Sequence, residues 1–585
     1  MTLSALDIII IVSFLFITLY ISFLYKNEGS KDIASFFLGS RNLSWWVAGT
    51  SMVATTFAAD TPLLIAEIVA NHGISGNWIW WNGLIGGMLS VFFFAKYWRR
   101  AGVITDIEII EKRYSGNAAR WLRGFKAIYL GIFLNSVVIA WVNVAMASLL
   151  IVFFNLSYWE ALWAVGGLML FVVIYSSLSG LLGVAITDFF QFWIAMLGCV
   201  ILAVLVVQSE AIGGIAGLKS KIPAESFSFL PAFSWSAEGL AQQGKTFVLG
   251  GATFLAYVGF QWWASWYPGM EPGGGGYVAQ RMMSAKNEKH ALWATLFFQI
   301  AHFAIRPLPW IVVGLCAIYL YPDLSAQDKK LGYVMAMRDF LPDGLRGLLL
   351  VAFLAAYMST ISTQINWGTS YLVNDFYALL NPEKANNPTQ MVMASRWANF
   401  ILMVVAFAVT TQISTLEGAF QFMIEAGAGL GAVLILRWYW WRINAWSEIT
   451  ATIAPFIPYA FAKFYWQMPF PDSFFFTVAF TTVAWILVTL LTPPDDMTKL
   501  KQFCENIRPQ GYWQPIYKAL QIDPPKSSIR YLLVLWLSGV VYIYALLFSL
   551  GELLFMEYQK AGIWAIIGIV SFVLYKYTEQ NSKEI

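Results

Sequence analysis

Ionisable residues, cysteines and histidines are scarce in this chain of 585 residues. Only 12% of the residues are charged, which excludes a soluble domain. The three cysteines, Cys199, Cys316 and Cys504, lie far apart without metal-site spacing, so neither a disulfide framework nor a zinc site is predicted. There are also only three histidines. No nucleophile, base and orienting group can be assembled from so few residues, and we expect no enzyme.

Two common sequence signals are missing as well. No GxxxxGK[ST] motif is present to bind the phosphates of ATP, and the GGGG run after Pro272 is too isolated to replace it. This argues against a primary pump. The apolar segment at residues 1–24 has no basic leader and no small-residue cleavage site, so we expect a retained membrane span and not a signal peptide.

What the chain does contain is apolar sequence. Apolar residues make up 59% of it and the mean hydropathy is +0.63, which predicts an all-α polytopic membrane protein in a lipid bilayer. Fifteen spans are predicted at about 1–24, 46–71, 77–97, 124–154, 158–178, 183–207, 246–268, 290–320, 346–377, 391–412, 417–437, 446–467, 473–492, 529–549 and 560–578.

Lysine and arginine in the loops predict the orientation of these spans. The segments 96–126, 281–289, 437–442 and 499–530 are basic, and all fall on one side if the spans alternate. By the positive-inside rule that side is cytoplasmic, so the N-terminus lies outside and the C-terminus inside. The less basic loop at 209–245 then lies outside. We expect the plasma membrane, and the lack of a long glycosylated loop favours a bacterial inner membrane.

One predicted span, from about Leu348 to Asp375, is unusually polar. Ser359, Thr363, Asn366 and Ser370 follow at three- and four-residue steps, which places them in one stripe on a helix. A single hydroxyl in a membrane helix often bonds only to its own helix or to a neighbouring one. Eight polar residues in twelve instead favour a water-lined path or an ion site that faces away from lipid.

Two other spans are interrupted near their middle. Span two is broken between Thr55 and Pro62, and span seven is broken by the Gly- and Pro-rich segment after Ser265. Each could be structural, as a proline kink or a helix end. Each is also the first of five spans, however, and paired broken helices of this kind indicate an inverted-repeat secondary transporter, in which unwound backbone holds an ion or solute at the midplane.

Six segments resemble successive signatures of the sodium:solute symporter family, which includes sodium/glucose and sodium/proline cotransporters. In chain order they are FFLGSRNLSWWVAGTSMVATTFAADTPL, AGVITDIEIIEKRYSG, SLSGLLGVAITDFFQFW, VAQRMMSAKNEKHA, LRGLLLVAFLAAYMSTISTQINWGTSYLVNDFYALL and ILRWYWWRINAWSE.

The resemblance implies a leucine-transporter-type core of ten helices in two inverted five-helix repeats. Here the core is residues 31–445, preceded by a transmembrane helix in 1–30. About four additional C-terminal helices follow in 446–585, with a cytoplasmic loop at about 493–528.

The resemblance also implies a sodium site between span two and span nine. Its ligands would be the carbonyls of two residues in the break, a third carbonyl on span nine, and two adjacent hydroxyls, namely Ala54, Phe57, Ala356, Ser359 and Thr360. Neutral oxygens suit sodium because they replace its hydration shell without burying a counter-charge. Asp188 matches an acidic position linked to ion release. An aspartate within a span is a functional candidate by default, although it could also cap a helix.

The solute site is less defined. The expected lining residues are Asp60, Thr61, Asn143, Gln261, Trp263, Gln421 and Glu425, with Asn135, Trp262 and Trp266 near them. Gln421 aligns with a sugar-contacting glutamine, but the family's sugar-binding glutamate is replaced by Trp80, so the sequence does not select a sugar. The tryptophans could stack on a sugar, cage an ammonium group, or simply pack.

His302 and Arg306 share one face of span eight. A buried arginine needs a partner, for which Glu425 and Asp60 are the candidates.

These observations predict a sodium-coupled symporter that imports a small organic solute by alternating access. The solute would be a sugar, an amino acid or a related polar molecule. No cofactor is expected besides the transported Na⁺, and no nucleic-acid partner. A membrane solute sensor and a sodium-independent facilitator on the same fold are the alternatives.

Overall fold

The computed structural model describes residues 4–24, 37–234, 240–243, 246–265, 275–326, 328–413, 424–425, 427–525 and 529–581, without the side chains of 178–183 and 233–249. These parts of the chain are predominantly helical, which confirms the all-α class. The first helices are α1 (Ala5–Leu24), α2 (Trp45–Thr55), α3 (Asp60–His72), α4 (Trp78–Trp81), α5 (Gly83–Leu89), α6 (Ala95–Ala101), α7 (Ile109–Arg113), α8 (Gly116–Ile128), α9 (Asn135–Phe154), α10 (Tyr158–Gln208) and α11 (Gly214–Lys221).

The second part of the chain continues with α12 (Gly251–Phe254), α13 (Trp262–Ala264), α14 (Gly276–Ser284), α15 (Glu288–Ile300), α16 (Pro307–Leu320), α17 (Leu331–Phe340), α18 (Leu345–Ser370), α19 (Ala378–Leu380), α20 (Pro382–Ala385), α21 (Pro388–Thr410), α22 (Leu430–Tyr439), α23 (Ala445–Ile453), α24 (Phe456–Ala460), α25 (Asp472–Leu491), α26 (Met497–Ile507), α27 (Gln514–Leu520), α28 (Ile529–Leu554) and α29 (Tyr558–Asn581). Several helices extend into π-helical turns, at Ser90–Phe94, Tyr129–Leu134, Leu255–Gln261, Ala301–Ile305, Tyr371–Tyr377 and Phe461–Tyr465.

Twelve of the fifteen predicted spans coincide with long apolar helical segments, when the bent pair α2 and α3 is counted as one. Within the described ranges, 11 helical segments are long and apolar enough to cross a membrane, and the bent pair α2 and α3 makes up to 12. The described parts of the predicted spans at 246–268, 417–437 and 446–467 contain only shorter helices, α12 and α13, α22, and α23 with α24. Residues 266–268, 417–423 and 426 lie outside the described residues. Between the predicted fifth and sixth spans, the backbone of α10 remains helical where we expected a short loop.

The first span is anchored to the polar ninth span. Oδ1 of Asp7 on α1 accepts hydrogen bonds from the amides of Gly344 (2.8 Å) and Gly347 (2.7 Å) at the start of α18. These amides have no partner within the helix, and a carboxylate also complements the positive end of the helix dipole. Glycine is required for this approach, because a Cβ at Gly347 would lie 2.5 Å from Cα of Asp7.

A buried charge cluster joins the predicted C-terminal helices to the core. Glu448 on α23 forms an ion pair with Lys126 on α8, lies 3.3 Å from Arg437 on α22, and accepts a hydrogen bond of 2.8 Å from the hydroxyl of Tyr114. All four side chains are buried. Two basic residues of the loops that predict orientation, Lys126 and Arg437, are thus enclosed within the protein.

Two predicted loops contain secondary structure. The loop at 493–528 holds α26 and α27, and the buried guanidinium of Arg113 lies 4.8 Å from the ring of Trp513, just before α27. The loop at 209–245 holds α11 and leads into a three-stranded sheet of β1 (Ala232–Ser234), β2 (Leu240–Gln243) and β3 (Thr246–Gly250). Strand β3 is central, parallel to β1 and antiparallel to β2. This small sheet is a local departure from the helical fold.

Candidate transport site

The second span is broken where the sequence predicts it. Helix α2 ends at Thr55 and α3 begins at Asp60, and the two are bent by 60°. Pro62 lies in the first turn of α3, where its missing amide hydrogen costs no helical hydrogen bond. Carbonyls in the last turn of α2 therefore lack regular helical partners. Those of Val53 and Ala54 instead accept the amides of Thr56 (3.2 Å) and Phe57 (3.0 Å), and each keeps a lone pair for polar groups from other helices.

The middle of α18 lies against this break. The hydroxyl of Thr360 donates a hydrogen bond of 2.9 Å to the carbonyl of Thr55. The hydroxyl of the adjacent Ser359 donates one of 2.7 Å to Oδ1 of Asp188 on α10. Both hydroxyls are buried, as are Ala54, Phe57 and Ala356. The structure thus brings one hydroxyl of the predicted sodium site, that of Thr360, to the broken segment that carries two of the predicted carbonyls, while the adjacent hydroxyl of Ser359 bonds to Asp188.

Asp188 connects three helices and does not cap one. It lies well inside α10, and its Oδ2 accepts a hydrogen bond of 2.7 Å from the hydroxyl of Ser51 on α2. Together with Ser359, this bonds both carboxylate oxygens to the helices of the predicted sodium site. A change at the ion position can therefore reach α10 directly, as an ion-release role would require.

Arg281 on α14 is a site residue that the sequence reasoning missed. Its Nη2 lies 3.9 Å from Asp188 and donates a hydrogen bond of 2.7 Å to the hydroxyl of Thr363, and its Nε donates one of 3.2 Å to Ser51. The side chain is fully buried. Its position in the VAQRMMSAKNEKHA segment was the available signal, but we counted it as a basic loop residue.

The polar stripe on α18 faces the protein interior, as predicted. All eight polar side chains are buried: Ser359, Thr360, Ser362, Thr363, Gln364, Asn366, Thr369 and Ser370. Within the stripe, Thr363 contacts Arg281 and lies 3.1 Å from the hydroxyl of Thr55, and Asn366 accepts a hydrogen bond of 3.1 Å from Gln280. Ser370 bonds only to the carbonyl of Trp367 in its own helix. Three of the four stripe residues therefore bond to other helices.

Asp60 and the pair His302 and Arg306 lie at the same break. Asp60 is the first residue of α3; it is buried, and its Oδ1 has no hydrogen-bond partner among the described residues. Nδ1 of His302 lies 3.0 Å from the hydroxyl of Thr56. The indole of Trp80 packs against His302, with 5.8 Å between the ring centroids.

Neither expected partner forms an ion pair with Arg306. Nη1 of this guanidinium donates hydrogen bonds to the carbonyls of Val53 (3.2 Å) and Thr56 (2.6 Å). Glu425 instead lies 3.0 Å from Nζ of Lys463 and accepts a hydrogen bond of 2.8 Å from the hydroxyl of Ser473. The sequence could not reveal these contacts, because the helices after the core supply the partners of Glu425.

The other predicted solute residues are dispersed. The side chain of Asn143 on α9 donates a hydrogen bond of 2.9 Å to the hydroxyl of Thr410 and accepts one of 2.8 Å from the hydroxyl of Tyr357. It therefore bridges core helices. The indole of Trp263 donates to the carbonyl of Gly259 in its own segment.

The remaining predicted residues are described only in part. Oε1 of Gln261 is buried without a hydrogen-bond partner among the described residues. Thr61 follows Asp60 in the first turn of α3. Gln421 and Trp266 lie outside the described residues.

Comparison with known proteins identifies similar transporters. The model of the sodium:solute symporter family matches residues 36–454. A sodium/glucose cotransporter of Vibrio parahaemolyticus is 24% identical over 499 residues, which cover 80% of this chain and 87% of the relative. The sodium/myo-inositol cotransporter 2 of Homo sapiens is 22% identical over 471 residues, 75% of this chain and 66% of that one.

A solved structure shares the fold. It is the substrate-bound outward-open state of a Na⁺-coupled sialic acid symporter, which matches with a TM-score of 0.68 at 17% identity and covers 84% of this chain and 99% of that chain. The likeness confirms the predicted leucine-transporter-type fold with its inverted five-helix repeats.

Proposed function

Since this chain belongs to the sodium:solute symporter family, we propose that it imports a sugar or polyol together with sodium by alternating access. The observation that carries the sodium part is the hydrogen bond of 2.9 Å from Thr360 to the carbonyl of Thr55. It places a hydroxyl of α18 on the open end of α2. A cation between them would replace this contact and link the two repeats of the core.

Sodium would bind Ala54, Phe57, Ala356, Ser359 and Thr360, as the family resemblance implies. Both hydroxyls now donate to protein oxygens, and both can turn their lone pairs to a cation instead. Ion entry would release the bond between Ser359 and Asp188. The carboxylate of Asp188 would then keep only its contacts with Ser51 and Arg281. When the hydroxyl of Ser359 bonds to Asp188 again, sodium loses one ligand, and this favours ion release.

The proposed solute class is supported by two buried acceptors. Oδ1 of Asp60 and Oε1 of Gln261 have no hydrogen-bond partner among the described residues, and they belong to the two broken spans. An unpaired buried oxygen is costly, whereas a solute rich in hydroxyl groups supplies donors. Sugars and polyols are such solutes, and the names of the sodium/glucose and sodium/myo-inositol relatives agree with this choice.

The proposed location is the plasma membrane, with the N-terminus outside and the C-terminus in the cytoplasm. In this orientation, α2 forms the inner half of the broken second span, and sodium and solute enter from the side of α3. The sodium gradient and the membrane potential would drive import, and the potential supplies ~2.3 kcal/mol per charge per 100 mV.

Uptake by the purified full-length chain in liposomes tests the proposal. Labelled glucose, galactose and myo-inositol would be compared with proline and betaine, with and without an inward sodium gradient. Sodium-dependent accumulation of a sugar or polyol would support the proposal. Accumulation of only an amino acid or betaine would overturn the solute class.

Two variants and a control test the ion site in the same assay. In Ser359→Ala and Thr360→Ala, the sodium concentration for half-maximal uptake should rise about tenfold, equivalent to the ~1.4 kcal/mol typical of one lost oxygen contact. The matched control is Ser395→Ala, since Ser395 is also buried but bonds only to the carbonyl of Met391 in its own helix. Uptake that is independent of sodium, or unchanged in both site variants, would favour a facilitator.

A further inference from the structure

The buried guanidinium of Arg306 lies at the open end of α2. Its Nη1 donates hydrogen bonds to the carbonyls of Val53 and Thr56, at 3.2 and 2.6 Å, and to the hydroxyl of Thr56 at 2.9 Å. A helix C-terminus carries a partial negative charge, because its last carbonyls lack regular amide partners and the peptide dipoles add up there. The carbonyl of Val53 also accepts the amide of Thr56 at 3.2 Å, so Arg306 takes its remaining lone pair. Arg306 therefore places a full positive charge where the broken helix attracts a cation.

The charge of Arg306 is balanced mainly by these backbone groups. Among the described residues no carboxylate lies within 4.0 Å of the guanidinium, and the carboxylate of Asp60 acts on its charge only from a longer distance. Its other neighbours are uncharged or aromatic. Nε2 of His302 lies 3.3 Å from Nη2, and the ring of Trp310 lies 5.6 Å away. An arginine does not lose its proton in proteins, so this charge is permanent.

Local structure directs the side chain toward the break. The π-helical turn Ala301–Ile305 immediately precedes Arg306, and Pro307 begins α16 immediately after it. A π-turn inserts one residue into the helix and so shifts the direction of the side chains beside it. The amide of Arg306 bonds to the carbonyl of Ala301 at 3.0 Å, which holds this geometry. Arg306 is fixed on the opposite repeat from the break that it contacts.

The break offers two carbonyl pairs, each with a spacing of three residues. The pair of Val53 and Thr56 is bound by Arg306, and the pair of Ala54 and Phe57 is the one predicted to bind sodium with α18. On a helix, a one-residue offset turns the second pair by about 100° from the first. The two pairs can thus face different helices. The carbonyl of Ala54 accepts the amide of Phe57 at 3.0 Å, and its second lone pair can still turn to a mobile cation while Arg306 holds the first pair.

We propose that Arg306 is a tethered cation that permanently occupies the Val53 and Thr56 carbonyl pair, so that the transporter binds one sodium ion per cycle and not two. This inference deepens the proposed function and rests on it. The guanidinium neutralises the end of α2 in every state of the cycle, including those in which sodium has left. No mobile cation then binds at the Val53 and Thr56 carbonyl pair.

The test measures binding of radiolabelled sodium to the purified full-length chain in detergent, and it needs no knowledge of the solute. We expect one sodium per wild-type chain and one in Arg306→Lys, which keeps a cation. In Arg306→Ala the vacated carbonyls should accept a second ion, so the count should rise to two. Millimolar guanidinium should then compete for that added site and return the count to one.

Different outcomes separate this inference from the proposed function. Two ions on the wild type, or one ion on an Arg306→Ala protein that elutes as a single folded species, would overturn the role proposed for Arg306. Either result would leave the proposed symport function standing. If Arg306→Ala does not fold, the wild-type count and Arg306→Lys still decide the question, because two ions on either protein exclude the proposal. A wild-type protein that binds no sodium would overturn the proposed function itself.

Discussion

The hydroxyl of Ser359 donates a hydrogen bond of 2.7 Å to Oδ1 of Asp188, although the two residues are 171 positions apart. Both are buried, and the other carboxylate oxygen is bonded to Ser51 of the broken helix. Asp188 therefore contacts both helices of the candidate sodium site, and its carboxylate also lies 3.9 Å from Nη2 of Arg281.

Removal of the Asp188 carboxylate should disable transport and lower stability. In Asp188→Ala, Arg281 becomes a buried charge without its ion pair, which costs about 3–5 kcal/mol when a partner is lost. Thermal unfolding in detergent should show a lower midpoint, and sodium-driven uptake should fall below detection.

The conservative variant separates charge from shape. Asp188→Asn keeps a similar volume and can still accept one of the serine hydrogen bonds, so it should fold better than Asp188→Ala but release sodium abnormally. The useful readout is sodium efflux from loaded liposomes. Wild-type efflux in Asp188→Asn would contradict the ion-release role.

Glu425 should serve stability more than solute choice. Its carboxylate already bonds to Lys463 at 3.0 Å and to the hydroxyl of Ser473 at 2.8 Å. Glu425→Gln should therefore lower the unfolding midpoint and leave the order of preferred solutes unchanged. Lys463→Met should have a similar effect, since it leaves the same carboxylate without its cation. If only Glu425→Gln altered solute preference, Glu425 would contact the solute after all.

The cluster around Glu448 should hold the C-terminal helices on the core. Glu448→Ala removes the shared partner of Lys126 and Arg437, both buried, so we expect a loss of about 3–5 kcal/mol. Limited proteolysis of the 493–528 segment would report the release of α26 and α27. A matched control is Glu557→Ala on the half-exposed pair with Lys219, which should change stability much less because solvent screens the pair. Equal protection from protease in both variants would argue against this role.

Asp7 should stabilise the start of α18. Asp7→Ala removes the acceptor for the amides of Gly344 and Gly347, and loss of such a cap costs about 0.5–2 kcal/mol. Hydrogen exchange at these two amides should become faster, whereas exchange in the middle of α18 should not change. Unchanged protection at both amides would show that α1 contributes only packing.

Sequence alone predicted twelve spans that long apolar helical segments match, the broken second helix and the buried stripe on α18. These features depend on local composition and helical periodicity, which neighbouring residues define. The short helices at 446–467 were predicted as one span because composition does not show where a helix bends. The motifs quoted from the sequence also indicated the family, and the family implied the inverted-repeat fold.

Only the tertiary structure decided which polar groups meet. The sequence suggested Asp60 or Glu425 as the partner of Arg306. The guanidinium instead bonds to backbone carbonyls, which can accept these hydrogen bonds because α2 ends at Thr55. The tertiary structure likewise pairs Glu425 with Lys463, which lies on a helix beyond the core. A buried charge must find a partner, but any of many distant groups can provide it. The packing of the helices selects among them, and residue spacing along the chain does not record that choice.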